Sequence, residues 1–91
     1  AAKHGLNGLT KNTALEYADK NIRVNSICPG MTKTPAFDLS TGGDDELFAG
    51  VVPMGRISTS DEVADCVVFL LSEQARYVTG AVLSVDGGMS A

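Results

Sequence analysis

An α/β fold built on a parallel sheet is what this sequence predicts, and three observations carry that prediction. Helical spacing of apolar residues over positions 1–20 gives way to a β-branched run at positions 22–28. A capping signature between Thr59 and Glu62 then opens a second helical segment. A second short apolar run, positions 81–85, follows that helix. Strands that alternate with helices imply βαβ units and a right-handed crossover.

Leu6, Leu9, Thr13 and Tyr17 recur at helical spacing, and Ala14 and Ala18 add good helix formers. Gly5 and Gly8 each cost a helix interior about 1 kcal/mol relative to alanine, which points to a neighbour packed close against that face. Asp19-Lys20-Asn21 ends the helix, with Asn21 suited to a left-handed cap. Positions 22–28 read as a buried strand that stops at Pro29-Gly30. Ala36-Phe-Asp-Leu39 reads as a short helical piece and Ser40-Thr-Gly-Gly43 as a break. Asp44 to Val52 forms a second piece, so that positions 36–52 make a mobile cover. Pro53-Met-Gly55 is a turn.

The Thr59 hydroxyl can accept from the Glu62 amide while the Glu62 carboxylate reaches back, and Asp61 and Glu62 suit the positive helix end. Val63, Ala64, Val67, Val68 and Leu71 form the expected apolar stripe of a helix reaching Ser72. Tyr77-Val-Thr-Gly80 is a connection, with Tyr77 expected to pack on this last helix and Tyr17 on the sheet. Positions 81–85 are a strand, and Asp86-Gly-Gly88 closes it. Two parallel strands leave open edges, and parallel sheets are normally covered on both faces. The chain opens on Ala1 in what reads as mid-helix. The expectation is therefore that positions 1–91 are one part of a larger sheet domain.

A composition of 44% hydrophobic and 20% charged residues fits an ordinary globular protein. The net charge of −4 and the absence of a basic patch argue against nucleic acid or an anionic membrane as partner. No apolar run is long enough to span a bilayer. Cys28 and Cys66 have no metal or redox spacing and read as small buried hydrophobes of a reducing, cytoplasmic compartment. No metal site is expected.

The stretch from Asn25 to Pro35 carries the most chemical information. A strand ends in Pro29-Gly30, and Met31, Thr32 and Thr34 follow at once. In open α/β sheets ligands sit beyond the carboxyl ends of strands. Thr32 and Thr34 could equally cap the next helical turn. On its own Lys3 reads as a solvated helix lysine, and His4 as a surface or interface histidine.

Ala-Ala-Lys3-His-Gly, the Pro29-Gly30 loop, Tyr77-Val-Thr-Gly80 and Val85-Asp-Gly-Gly88 together, in that order, resemble the C-terminal portion of the short-chain dehydrogenase/reductase family. The resemblance covers essentially the whole chain. It implies a C-terminal fragment of a Rossmann-like, doubly wound parallel sheet. It also implies an NAD- or NADP-dependent oxidoreductase that interconverts a secondary alcohol and a ketone. Lys3 matches the lysine of the family's Tyr-x-x-x-Lys pair, whose tyrosine would stand four positions earlier. Residues four apart share a helix face, and the ammonium lowers the phenol's pKa.

The same resemblance implies that Lys3 also holds the cofactor ribose. Pro29, Gly30, Thr32 and Thr34 would line the nicotinamide end, with the Thr32 backbone and the Thr34 hydroxyl on the carboxamide or a phosphate. Met31, Phe37 and Leu39 would meet a small alcohol or carbonyl substrate, and Leu47 and Phe48 could extend an apolar wall. The helix at positions 1–20 and the last helix and strand would be subunit interfaces of a homo-oligomer, dimer or tetramer. The family's glycine-rich phosphate loop does not occur in the sequence, so the chain by itself is expected to be inactive. The alternative is a non-catalytic segment for folding or oligomerisation.

Overall fold

Asn21 stops the first helix. In the computed structural model, which describes residues 2–91 and side chains from His4 onward, α1 spans Ala2–Tyr17 and a 3₁₀ turn, Ala18–Lys20, follows. Asn21 takes φ 59° and ψ 34°, and its N–H donates to Ala18 O. A short polar side chain tolerates this left-handed conformation.

After it come β1 (Ser26–Pro29), β2 (Thr32–Lys33), α2 (Pro35–Thr41) and α3 (Asp45–Ala49). Then follow β3 (Ser58–Thr59), α4 (Ser60–Leu71), a 3₁₀ turn (Glu73–Ala75) and β4 (Val82–Val85). The expected order of helix, strand, cover, helix and strand is present, and the fold is a parallel α/β one. β1 pairs with β4. Ser26 N donates to Ala81 O and Gly30 N to Val85 O, so the partners advance in the same direction along both strands. A second parallel pair, β2 with β3, aligns Thr32 with Ser58 and Lys33 with Thr59. Two-residue strands carry no periodicity, and the residue pattern does not announce this pair.

The chain divides into two compact units: Ala1–Ile27 with Val67–Leu83, and Cys28–Cys66 with Ser84–Ala91. In the first unit the buried line of α1 is Thr10 and Ala14, whereas Leu6 and Leu9 are exposed. This corrects the expected stripe, and the reason is steric. The turn at Gly80 runs against the helix: Lys11 Nζ donates to Gly80 O at 3.2 Å, and a Cβ on Gly80 would lie 3.5 Å from that of Ala14. Ala14 is in van der Waals reach of that turn and is 2% exposed. Added Cβ atoms at Gly5 and Gly8 would meet open space, so no close neighbour of that face lies among the described residues.

The first strand begins at Ser26 rather than at position 22. Before it side chains supplement one backbone bond, from Gly80 N to Val24 O at 2.8 Å. Val24 N donates to the Thr79 hydroxyl, the Asn25 amide oxygen accepts from Ala81 N, and Asn25 Nδ2 donates to Val78 O. The Arg23 guanidinium donates to Val78 O and Ser72 O. Tyr77 is fully exposed and does not pack on α4; Ala75 is the residue that buries after that helix. Tyr17 lies at the surface with the Lys20 ammonium 5.2 Å from its ring centre, a cation–π pair.

In the second unit α2 and α3 are the two expected helical pieces with shifted ends. Gly42, at φ 75°, closes α2, and the Asp44 carboxylate accepts from Leu47 N to open α3. Phe37 and Phe48 meet edge to face at 5.7 Å. Leu39 and Leu47 are exposed and join no wall.

The capping box forms as expected: Glu62 N donates to Thr59 Oγ1 at 3.2 Å, and Thr59 N donates to Glu62 Oε1 at 2.9 Å. Arg56 adds a two-pronged contact to the same carboxylate, at 2.7 and 2.6 Å. Arg56, then the Thr59 amide, hold the Glu62 carboxyl down to about 2. A depressed carboxyl contributes stability above its ordinary value of 4.5 and loses it as pH falls through about 2. Glutamine preserves a capping box, so Glu62→Gln removes mainly the ion pair. The gap in thermal midpoint between wild type and Glu62→Gln is expected to be small, as for any exposed pair. It should be full at neutral pH and close on acidification, which thermal melts across that range would read.

Along α4 the buried residue is Leu70, with Val63 and Cys66 half-buried, while Val68 and Leu71 are exposed. The helix is apolar on more than one side: of the expected stripe Val63 is half-buried, whereas Ala64, Val67, Val68 and Leu71 are exposed. Cys28 and Cys66 are both free thiols. Among the described residues no helix is long and apolar enough to cross a membrane, and no side-chain cluster could hold a metal ion.

Candidate functional site

The loop after β1 is built by close backbone approach. A Cβ on Gly30 would lie 2.7 Å from Asp86 Cβ and 2.9 Å from Asp86 Cα. Real Cβ atoms do not approach that closely, so glycine is required. The Gly30 amide donates to Val85 O at 3.0 Å. Asp86 is itself fixed by the turn after β4: its carboxylate accepts from Gly88 N, Ser90 N and the Ser90 hydroxyl. Pro29, which has no N–H to give a ladder, is the exposed last residue of β1.

Met31 opens onto a cleft of about 430 Å³, lined also by Val52, Met54, Arg56, Ser58 and Asp86. The Thr32 hydroxyl donates to Gly30 O at 3.3 Å and accepts from Ser58 Oγ at 3.0 Å. The Thr34 hydroxyl accepts from Phe37 N at 3.0 Å and so caps α2, with Pro35 at the helix's first position. Capping uses one lone pair of a hydroxyl, which has one donor hydrogen and a second lone pair besides.

Lys33 bridges Asp38 at 2.5 Å and Asp45 at 3.0 Å. Those carboxylates, Asp38 first, hold its ammonium above the ordinary lysine value. The bridges tie both helices of the cover back to the loop.

The structure therefore brings Gly30, Met31, Thr32 and Thr34 together, and Phe37 enters on the helix that Thr34 caps. It does not bring Leu39 in, since that side chain is 89% exposed. The Lys3 side chain lies outside the described residues. His4 is exposed. Sequence reasoning missed Ser58 and Asn25. Ser58 adjoins a capping threonine and reads as helix punctuation. Asn25 looks like any strand-edge amide, because its partners lie more than fifty positions away. The Gly30 N–H and C=O are both engaged within the chain, so the side-chain capacity this loop could offer a ligand is the donor hydrogen and second lone pair of Thr34. The Thr32 hydroxyl is already engaged.

The parallel α/β fold places this loop beyond the carboxyl end of a strand, where ligands of open α/β sheets sit, and comparison identifies the family. A family profile described as Enoyl-(Acyl carrier protein) reductase matches residues 1–90. Cyclohexanol dehydrogenase of Acinetobacter sp. (strain SE19) is 51% identical over 87 residues, which is 96% of this chain and 34% of the relative. An oxidoreductase of the short chain dehydrogenase/reductase family from Burkholderia thailandensis has a solved structure that superposes with a TM-score of 0.86 at 41% identity. The match covers 97% of this chain and 35% of that one. The structure of ElxO with NADP bound gives a TM-score of 0.86 at 37% identity, covering 97% of this chain and 37% of its own. The chain belongs to the short-chain dehydrogenase/reductase family. It spans about a third of the length of the curated relatives it matches.

Proposed function

We propose that these residues are the C-terminal part of a single dinucleotide-binding domain in an NAD- or NADP-dependent oxidoreductase that interconverts a secondary alcohol and a ketone. The observation that carries this is the Gly30 loop. Its backbone is pinned to Val85 and Asp86, and it is followed at once by a hydroxyl at Thr34 with capacity to spare. The name of the cyclohexanol dehydrogenase relative supports the substrate class, since cyclohexanol is a secondary alcohol. The NADP-bound relative supports the cofactor class.

A bound nicotinamide supplies the hydride acceptor or donor. Pro29 and Gly30 shape the wall of its site. The Thr32 backbone and the Thr34 hydroxyl orient its carboxamide, which sets the ring face offered to the substrate. Lys3 hydrogen-bonds the ribose and lowers the pKa of a tyrosine four positions before it. Met31, Phe37 and Leu39 contact the substrate; Leu39 reaches it only if the cover closes and excludes water. The open glycine face of α1, flanked by Leu6 and Leu9, supports a homo-oligomer, dimer or tetramer. The net charge of −4 supports neither nucleic acid nor an anionic membrane as partner. A cytoplasmic location belongs to the same reading.

The test is turnover by the full-length protein that carries these residues, with cyclohexanol and either NAD or NADP, followed by nicotinamide absorbance. Turnover is expected from that protein and none from the 91-residue chain alone. Activity of the short chain would refute the claim that it is incomplete. No cofactor response from the full-length protein would favour a non-catalytic folding or oligomerisation role.

A further inference from the structure

We propose that Ser58 is a positioning residue for the loop after β1, acting through Thr32 rather than touching cofactor or substrate. The inference rests on the reading of that loop as the nicotinamide-side wall. The segment before α4 is strapped to the loop along its length. Ser58 N donates to Met31 O at 3.0 Å, and the Ser58 hydroxyl lies 3.0 Å from Thr32 Oγ1 and 3.3 Å from Met31 O. Ser60 Oγ donates to Lys33 O at 3.3 Å.

A hydroxyl has one hydrogen. If Ser58 gives its hydrogen to Thr32, the Thr32 hydrogen is left for Gly30 O, 3.3 Å away. The relay runs from Ser58 through Thr32 to the carbonyl of the glycine that Asp86 already pins. It fixes the Thr32 rotamer and, with it, the course of the backbone from Gly30 to Lys33. The strap is anchored in turn by the Arg56–Glu62 pair and the Thr59 capping box, which hold the residues on either side of Ser58. A loop held this way presents its amides in one arrangement and keeps the Thr32 hydroxyl away from the ligand. The relay thus gives the two threonines different roles. Thr32 secures the loop, and Thr34 is left to meet the carboxamide.

The experiment uses the full-length protein with Ser58→Ala, Ser58→Thr, Thr32→Val and the Ser58→Ala/Thr32→Val double variant. NADH and NADPH affinities are read by fluorescence titration, with KM for cofactor and for cyclohexanol and the thermal midpoint measured alongside. Ser58→Ala is expected to weaken cofactor binding by about three- to tenfold, the range of one ordinary hydrogen bond, with the alcohol KM unchanged. Ser58→Thr should restore affinity. The double variant should lose no more than the worse single one, since both break one relay. Normal wild-type binding with unaltered affinity in Ser58→Ala, or additive losses in the double variant, would overturn the proposal while leaving the functional reading intact. A wild type that binds neither cofactor would overturn both.

Discussion

Replacing Gly30 by alanine is expected to cost the folded protein about 1–3 kcal/mol, the usual range for forcing a methyl group into a packed site. The size follows from what the new Cβ would strike. Its nearest neighbours are Asp86 Cβ at 2.7 Å and Asp86 Cα at 2.9 Å, backbone-linked atoms rather than the free end of a flexible side chain. Asp86 cannot easily yield, because its carboxylate is held by Gly88 N, Ser90 N and the Ser90 hydroxyl. Gly30 cannot easily yield either without lengthening its 3.0 Å bond to Val85 O. Whichever side moves, the loop moves with it. Chemical denaturation should show the lost stability, and cofactor titration of the same variant should show weaker binding in the native baseline. An alanine variant as stable as wild type would mean that the approach of the two strand ends is looser than these distances state.

Gly30 also shows how much of this molecule could be read from residue order. A proline-glycine pair ending a β-branched run marks a loop on local grounds, and the loop is there. The Asn21 cap and the Thr59–Glu62 box were legible for the same reason, since each is decided within four residues of chain. What the pattern could not supply was any choice made by a distant partner. Helices α1 and α4 carry apolar residues on more than one side, so periodicity could not say that Thr10 and Ala14 would be buried while Leu6 and Leu9 faced out. The β2–β3 pair joins residues 26 positions apart through strands of two residues, below any periodic signal. The candidate site divides in the same way. Gly30 and Thr34 announce themselves by type and place, whereas the function of Ser58 exists only once Thr32 is beside it.

Asn25 is the sharper case, and its replacement by alanine is expected to destabilise the protein by about 1–3 kcal/mol, the cost of leaving a shielded donor unsatisfied. Its amide oxygen accepts from Ala81 N at 2.9 Å, and its Nδ2 donates to Val78 O at 3.1 Å. The two losses are unequal. Val78 O keeps the Arg23 guanidinium at 3.2 Å, so the penalty falls mainly on the Ala81 N–H, which is left without the acceptor that occupies it. Aspartate at the same position separates shape from hydrogen-bond polarity. A carboxylate still accepts from Ala81 N but turns a second acceptor toward Val78 O. The Arg23 guanidinium bonds that same carbonyl, so a cation stands near the new charge and offsets part of the lost donor. The Ala81 N–H keeps its acceptor in Asn25→Asp and loses it in Asn25→Ala. Denaturant midpoints at neutral pH should therefore rank wild type above Asn25→Asp, and Asn25→Asp above Asn25→Ala. An aspartate variant no more stable than the alanine one would mean that the amide oxygen contributes little and that Asn25 acts through its donor to Val78 O alone.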